Sequence, residues 1–207
     1  MFGVPELGAL ISQVHSTSIS AGRELESIIL ERSRTISDLD AFLAQDIITA
    51  GVSVASKEAI KQCETIDYPG AEPDFMIFRR KGTAQECLVL ELKDGDAFDT
   101  KKAAGERANL HRFIQYLGTR IPWTVDMRFC CFNQPDKDKI RAGFKNKISE
   151  AQAMTGSELC GLLNLDYAEI VREREKDQPE NLTVFVEKLL GIEAVKSEIV
   201  KSGNFNT

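Results

Sequence analysis

Two stretches decide how this chain folds: Pro73-Asp74-Phe75-Met76-Ile77-Phe78, and Glu86-Cys87-Leu88-Val89-Leu90-Glu91-Leu92-Lys93. Each holds an apolar run of strand length, the first opened by Pro73-Asp74 and the second closed by Glu91-Leu92-Lys93. Between them, Arg79-Arg80-Lys81-Gly82-Thr83-Ala84-Gln85 is polar and holds a glycine, the mark of a hairpin connection. Side chains alternate across a strand. Cys87, Val89, Glu91 and Lys93 therefore leave one face, and Leu88, Leu90 and Leu92 the other. An antiparallel partner brings Asp74 beside Glu91 and Lys93. The expected product is two carboxylates and one ammonium at the end of a buried strand, converging on one metal ion.

Charges flanking a strand are common surface punctuation, so the rest of the chain is the control. Pro135-Asp136 repeats the dipeptide, but it precedes a charged run and no acidic-x-Lys triplet follows on an apolar strand. Asp99-Thr100-Lys101 has the right letters in a polar stretch with no strand before it. Only residues 73–93 combine dipeptide, two apolar runs, short turn and triplet.

Composition bounds the remainder. A chain of 207 residues is expected to form one domain with a real core. Its 43% hydrophobic and 28% charged content is that of an ordinary globular protein. No apolar stretch approaches a membrane span, and the first residues lack a signal peptide's basic start and apolar core. The five cysteines (Cys63, Cys87, Cys130, Cys131, Cys160) form no C-x-x-C and several sit in apolar runs, which disfavours zinc and disulfides and predicts a reducing cytoplasm. A net charge of −6 argues against a general nucleic-acid coat but not against a DNA enzyme, for which the local surface matters. Arg79-Arg80-Lys81, Lys101-Lys102, and the group Lys137, Lys139, Arg141, Lys145 and Lys147 supply local positive charge, the last group diluted by Asp136 and Asp138. A solvated helix face and a phosphate-contacting face both fit that last group.

The expected order is helices, a short sheet, then helices. A helix is predicted from Ser20 to Ser33, with Leu25, Ile28 and Ile29 as its stripe. A second follows Ser37 with Leu39, Phe42, Leu43 and Ile47, and a short third runs from Ser56 to Cys63. Residues 100–117 read as a helix and 124–132 as a third strand, laid beside the second by a crossover. Helices are expected to begin at Thr155, Asp166 and Pro179, the last with the stripe Leu182, Phe185, Val186, Leu189 and Leu190. The tail from Lys201 is expected to fray. There is no repeat, low-complexity tract or linker. The fold class is thus α/β (α+β): a small mixed central sheet flanked by helices, with a helical C-terminal part.

Asp74, Glu91 and Lys93, in this order and context, resemble the PD-(D/E)xK nuclease superfamily and, within it, the type II restriction endonucleases. Gly22-Arg23-Glu24-Leu25-Glu26 resembles the early helix by which many members add a carboxylate. Residues 99–106 resemble the helix after the catalytic strand. The match covers a core of residues 20–132, leaving 136–200 as accessory helices for recognition or dimerisation. The resemblance implies a Mg²⁺-dependent, sequence-specific endonuclease of double-stranded DNA, acting as a homodimer on a palindromic site. It also favours Glu26 over Glu24, although on a helical wheel the two lie on opposite edges of the stripe, equally far from its centre.

The residue types support that chemistry unaided. Asp74 and Glu91 are hard oxygen ligands suited to Mg²⁺, and the Leu92 carbonyl, between two site residues, is a further candidate ligand. Bound Mg²⁺ lowers the pKa of a water and polarises a phosphate oxygen. Lys93 can orient that water or stabilise developing charge, and both roles stay open. Whether one ion or two bind also stays open. Lys101, Lys102, Lys137, Lys139, Arg141 and Lys145 are the candidate DNA contacts, and the loop from Gln134 is a candidate for base reading. His15 and His111 have no partner in sequence, and no P-loop, nucleophile elbow or dinucleotide fingerprint is present, so no nucleotide cofactor is expected. Trp123 reads as core or strand edge. The length leaves no room for a methyltransferase or motor. The alternatives are a repair or junction-resolving nuclease on the same core, and a non-catalytic DNA-binding protein whose charges only dress the surface.

Overall fold

The computed structural model describes residues 3–45, 51–81, 84–98 and 101–203. In chain order its elements are α1 (Pro5–Arg32), β1 (Thr35–Ile36), α2 (Leu39–Leu43), β2 (Gly51–Ser56), α3 (Lys57–Gln62), β3 (Phe75–Lys81), β4 (Ala84–Lys93) and α4 (Ala103–Leu117). Then come β5 (Thr124–Cys131), α5 (Lys137–Gly143), β6 (Ala153–Thr155), α6 (Gly156–Leu163), α7 (Tyr167–Glu175), α8 (Gln178–Leu190) and α9 (Glu193–Lys201). This is the mixed α/β architecture the sequence implied, a restriction-endonuclease-like core.

Among the described residues the strands form one sheet of six, in the order β1-β2-β3-β4-β5-β6. The β2–β3 and β3–β4 pairs are antiparallel, whereas β1–β2, β4–β5 and β5–β6 are parallel. The β4-α4-β5 crossover lays Glu91 opposite Phe129 and Lys93 opposite Cys131. Met76, Phe78, Cys87, Val89, Met127, Phe129 and Cys131 share the sheet face packed by Leu110, Phe113 and Leu117 of α4 and Ile140 of α5. Trp123 is core, its ring 5.0 Å from Phe78 and 6.1 Å from Phe42. All five cysteines are buried free thiols, and no described helix is long and apolar enough to cross a membrane.

Several elements differ from expectation for identifiable reasons. Helix α1 starts at Pro5, not Ser20. The Ser/Thr-rich stretch before Ser20 is helical, and within it Ser12, Thr17 and Ser18 donate to the carbonyls of Gly8, Gln13 and Val14, one turn back, which satisfies their hydroxyls without ending the helix. Asp38, not Ser37, caps α2, accepting from the Ala41 amide at 2.8 Å; Ile47 lies outside the described residues. Strand β2 went unpredicted because small and polar residues interrupt its valines, and β1 and β6 are too short to show a period. The hairpin strands run further than their apolar cores. Arg79 lies within β3 and pairs with Glu86 across the ladder, 2.5 Å apart, rather than in the connection.

The described residues group into two compact units. One spans Leu25–Tyr167 and carries the sheet. The other joins α1 through Glu24 to the residues from Ala168 onward. In that second unit Leu182, Phe185, Val186 and Leu190 of α8 are exposed, although their spacing had marked them as a packing stripe.

Helix α6 begins under a capping box in which Thr155 accepts from the Glu158 amide and the Glu158 carboxylate accepts from the Thr155 amide. At Gly156 a Cβ would collide with the Phe132 carbonyl oxygen and lie 2.8 Å from the Tyr167 ring. Gly156→Ala is therefore expected to lower unfolding stability by about 2–3 kcal/mol, the range of overpacked sites. Urea denaturation checks this, and a loss below about 0.5 kcal/mol would contradict the packing described.

Candidate active site

Antiparallel pairing sets Phe75 opposite Leu90, which places Asp74, just before β3, beside the end of β4. The Asp74 amide donates to the Leu90 carbonyl at 3.1 Å, and the Leu92 amide donates to Asp74 Oδ2 at 2.8 Å. The dipeptide and the triplet are thus joined by backbone. Glu91 and Lys93 leave the same face, and Lys93 Nζ sits 2.7 Å from Glu91 Oε1.

Two residues the sequence did not single out complete the cluster. Glu106, in the first turn of α4, puts Oε1 3.3 Å from Lys93 Nζ. Its Oε2 is buried without a hydrogen-bond partner among the described residues. Lys57, the first residue of α3, lies 3.9 Å from Asp74 Oδ1. Neither belongs to a local motif; strand pairing and the crossover bring them in. The Phe98 ring floors the site, its centroid 5.8 Å from Lys93 Nζ.

Glu26 is half-buried on α1, while Glu24 one edge away is exposed. Burial raises the Glu26 carboxyl; Lys57 and Lys93 oppose the rise, and Glu58 and Glu91 add to it. Asp74 is pushed up to about 7, first by burial, then by repulsion from Glu91, with the Leu92 amide opposing and Glu26 adding. At Lys93, burial works against the ammonium, but Glu91, Glu106 and Asp74 outweigh it, so the net shift is upward and the side chain stays charged. Burial and carboxylate crowding around few cations make a site that a divalent ion would relieve.

Among the described residues, no three of His, Cys, Asp and Glu come together as a metal-binding group. The donor set that suits Mg²⁺, an ion whose remaining positions water and phosphate oxygen commonly fill, is the smaller one of Asp74 and Glu91.

The basic candidates are placed unevenly. Lys101, Lys102, Lys139 and Lys145 are exposed. Lys137 is tied to Glu158 at 2.6 Å, and Arg141 to Asp138 at 2.9 Å. Gln134 is buried, its amide donating to the Asp96 carbonyl at 3.0 Å and its oxygen accepting from the Asp136 amide at 3.1 Å, so it braces its loop. His15 and His111 are exposed.

With this geometry in view, comparison with known proteins gives the class: the chain belongs to the type II restriction endonucleases. The relative is the type II restriction enzyme HhaII of Haemophilus parahaemolyticus, 39% identical over 205 residues, covering 96% of this chain and 90% of that protein. No protein-family model matches the chain. No solved structure matches it.

Proposed function

We propose that the chain is a Mg²⁺-dependent, sequence-specific endonuclease that hydrolyses both strands of double-stranded DNA. The observation that carries this reading is the convergence of Asp74, Glu91 and Lys93, with Glu26 alongside, at one strand end in a chain of this family. In hydrolysis a water oxygen bonds to phosphorus, one P–O bond to the deoxyribose breaks, and the leaving oxygen gains a proton. Asp74 and Glu91, joined by the Leu92 carbonyl, would hold the ion, which when bound supplies an acidified water and polarises the phosphate. Glu26 is the carboxylate placed to extend that set. Lys93, kept charged by Glu91 and Glu106, holds positive charge where the phosphorane's negative charge develops and orients the attacking water. Lys57 steadies the Asp74 carboxylate from the other side.

The two strands of a duplex are antiparallel, so a protein with one site per chain cuts both most simply as a twofold dimer. The α1–α8 unit supports a second copy as the occupant of its exposed face. A groove of about 450 Å³ runs between Leu10, Val14, Ala21, Leu182 and Phe185. That unit carries more acidic than basic side chains, which disfavours DNA there, and an apolar face can meet its own copy. Lys101, Lys102, Lys139 and Lys145 are proposed DNA contacts, with Lys137 and Arg141 contributing if their ion pairs yield. Buried free thiols fit work in a reducing cytoplasm.

Digestion of plasmid DNA, followed by sequencing of the ends, is expected to give discrete fragments with one recurring end sequence. EDTA is expected to stop the reaction and excess Mg²⁺ to restore it. Random fragments, or cutting confined to branched junctions, would replace this reading with a repair or resolving nuclease.

A further inference from the structure

Among the described residues, Arg107, Lys145 and Lys147 surround a cleft that no acidic side chain lines, in a protein whose net charge is −6. Its other walls are Ala103 and Ala104, in the first turn of α4, and Gly143 and Phe144 at the end of α5. The volume of about 70 Å³ is several times what one water requires. Arg107 Nε is buried without a hydrogen-bond partner among the described residues. Leaving a guanidinium nitrogen so placed is costly unless a ligand completes it. Of the acidic residues on α4 and α5, Glu106 meets Lys93 through Oε1 and Asp138 pairs with Arg141.

Both lysines are exposed, yet their backbone is fixed. The Lys145, Asn146 and Lys147 amides donate to the carbonyls of Ala142, Arg141 and Phe144 at 2.8, 2.9 and 3.0 Å. The fifteen-residue α4 adds the positive end of its dipole at Ala103, and the side chain of Lys102 before it makes no capping hydrogen bond. Charge from two elements and the helix terminus therefore point at one small volume.

The cleft adjoins the candidate active site by two short routes. Arg107 follows Glu106, which touches Lys93. The Phe98 ring beneath Lys93 packs 4.5 Å from the Phe144 ring, next to Lys145.

We propose that Arg107, Lys145 and Lys147, with the first turn of α4, form an anion cleft that grips a DNA backbone phosphate flanking the one being cut. The inference rests on the endonuclease reading and adds a positioning function to it. The cleft sets where the strand lies over Asp74 and Glu91, and does no chemistry itself. A guanidinium and two ammoniums meet any phosphodiester alike, so the contact carries affinity and register but no sequence choice.

The test is binding of a fluorescein-labelled 30-base-pair duplex in EDTA between 50 and 200 mM KCl, with plasmid cleavage in Mg²⁺ alongside. Lys145→Gln/Lys147→Gln, whose side chains are exposed, should fold as the wild type does. The expected result is about tenfold weaker binding at 100 mM KCl and a slope of log K against log[KCl] shallower by about one, the signature of one lost phosphate contact. Cleavage should show a raised KM with kcat nearly kept. Arg107→Gln should behave alike, with circular dichroism reporting its fold. An unchanged slope in the lysine pair, with wild-type duplex binding intact, overturns the cleft. A wild type that neither binds the duplex nor cuts plasmid instead overturns the endonuclease reading beneath it.

Discussion

Lys93→Ala is expected to lower plasmid cleavage by about 10³-fold or more while duplex binding changes by no more than about threefold, because one pre-positioned charge at the developing oxyanion is worth on the order of 10²–10³ and water orientation is lost with it. The split is the informative part. Lys93 is bound to Glu91 at 2.7 Å and Glu106 at 3.3 Å, so its charge is anchored for the reacting phosphate rather than extended along the DNA. Lys93→Arg should be nearly as inactive. A planar guanidinium cannot occupy the position of a compact ammonium between two carboxylates. Steady-state rates together with fluorescence anisotropy measure both halves. Cutting at the wild-type rate by Lys93→Ala would falsify the assignment.

Asp74→Asn is expected to abolish cleavage and, at pH 8 without metal, to make the protein more stable. The two effects have one origin. In the folded chain the Asp74 carboxyl is raised to about 7, against an ordinary value near 3.8, so ionising it costs folding free energy. Below pH about 4 the group is protonated in both states and no penalty exists. The penalty grows between about pH 4 and 7 and is full above that. Asparagine removes it while keeping the shape, but weakens the bond from the Leu92 amide. The net gain should be on the order of 2 kcal/mol at pH 8 and close to zero at pH 4. Mg²⁺ should reverse the ranking. At a hundred times its dissociation constant it stabilises the wild type by about 2.7 kcal/mol and leaves Asp74→Asn unmoved. Thermal melts at the two pH values, with and without Mg²⁺, give all four quantities. An asparagine variant less stable than wild type at pH 8 would mean that Asp74 is a structural anchor instead.

Much of the fold and the candidate site is legible in residues 73–93, because strand alternation and a short hairpin are local physics. Knowing that Phe75 and Leu90 belong to adjacent antiparallel strands is enough to bring Asp74 to Glu91. What stayed hidden depends on pairings distant in sequence. Lys57 reaches Asp74 only because β2 pairs with β3, and β2 is a strand whose period is blurred by serine and alanine. Glu106 stood in a stretch noted for its helix, but nothing in its neighbours says that the crossover turns it toward Lys93. The long α1 was hidden by its own hydroxyls, which bond back along the helix in place of ending it. The α8 stripe shows the reverse case. Its periodicity predicted a helix correctly, yet periodicity cannot say whether the apolar face meets the same chain or another.

The order of strands in the sheet has a kinetic meaning. Because β1 to β6 lie side by side in the sequence in which they are made, each strand docks on its immediate predecessor and closes only the loop between them. Loop-closure entropy rises with the logarithm of loop length, so no step waits on a distant segment. The hairpin holding Asp74, Glu91 and Lys93 is the tightest of these closures, and it forms around a seed of about twenty residues. The chain can thus lay down its carboxylate cluster early and add the α4 crossover, with Glu106 and the cleft beside it, onto a site already in register.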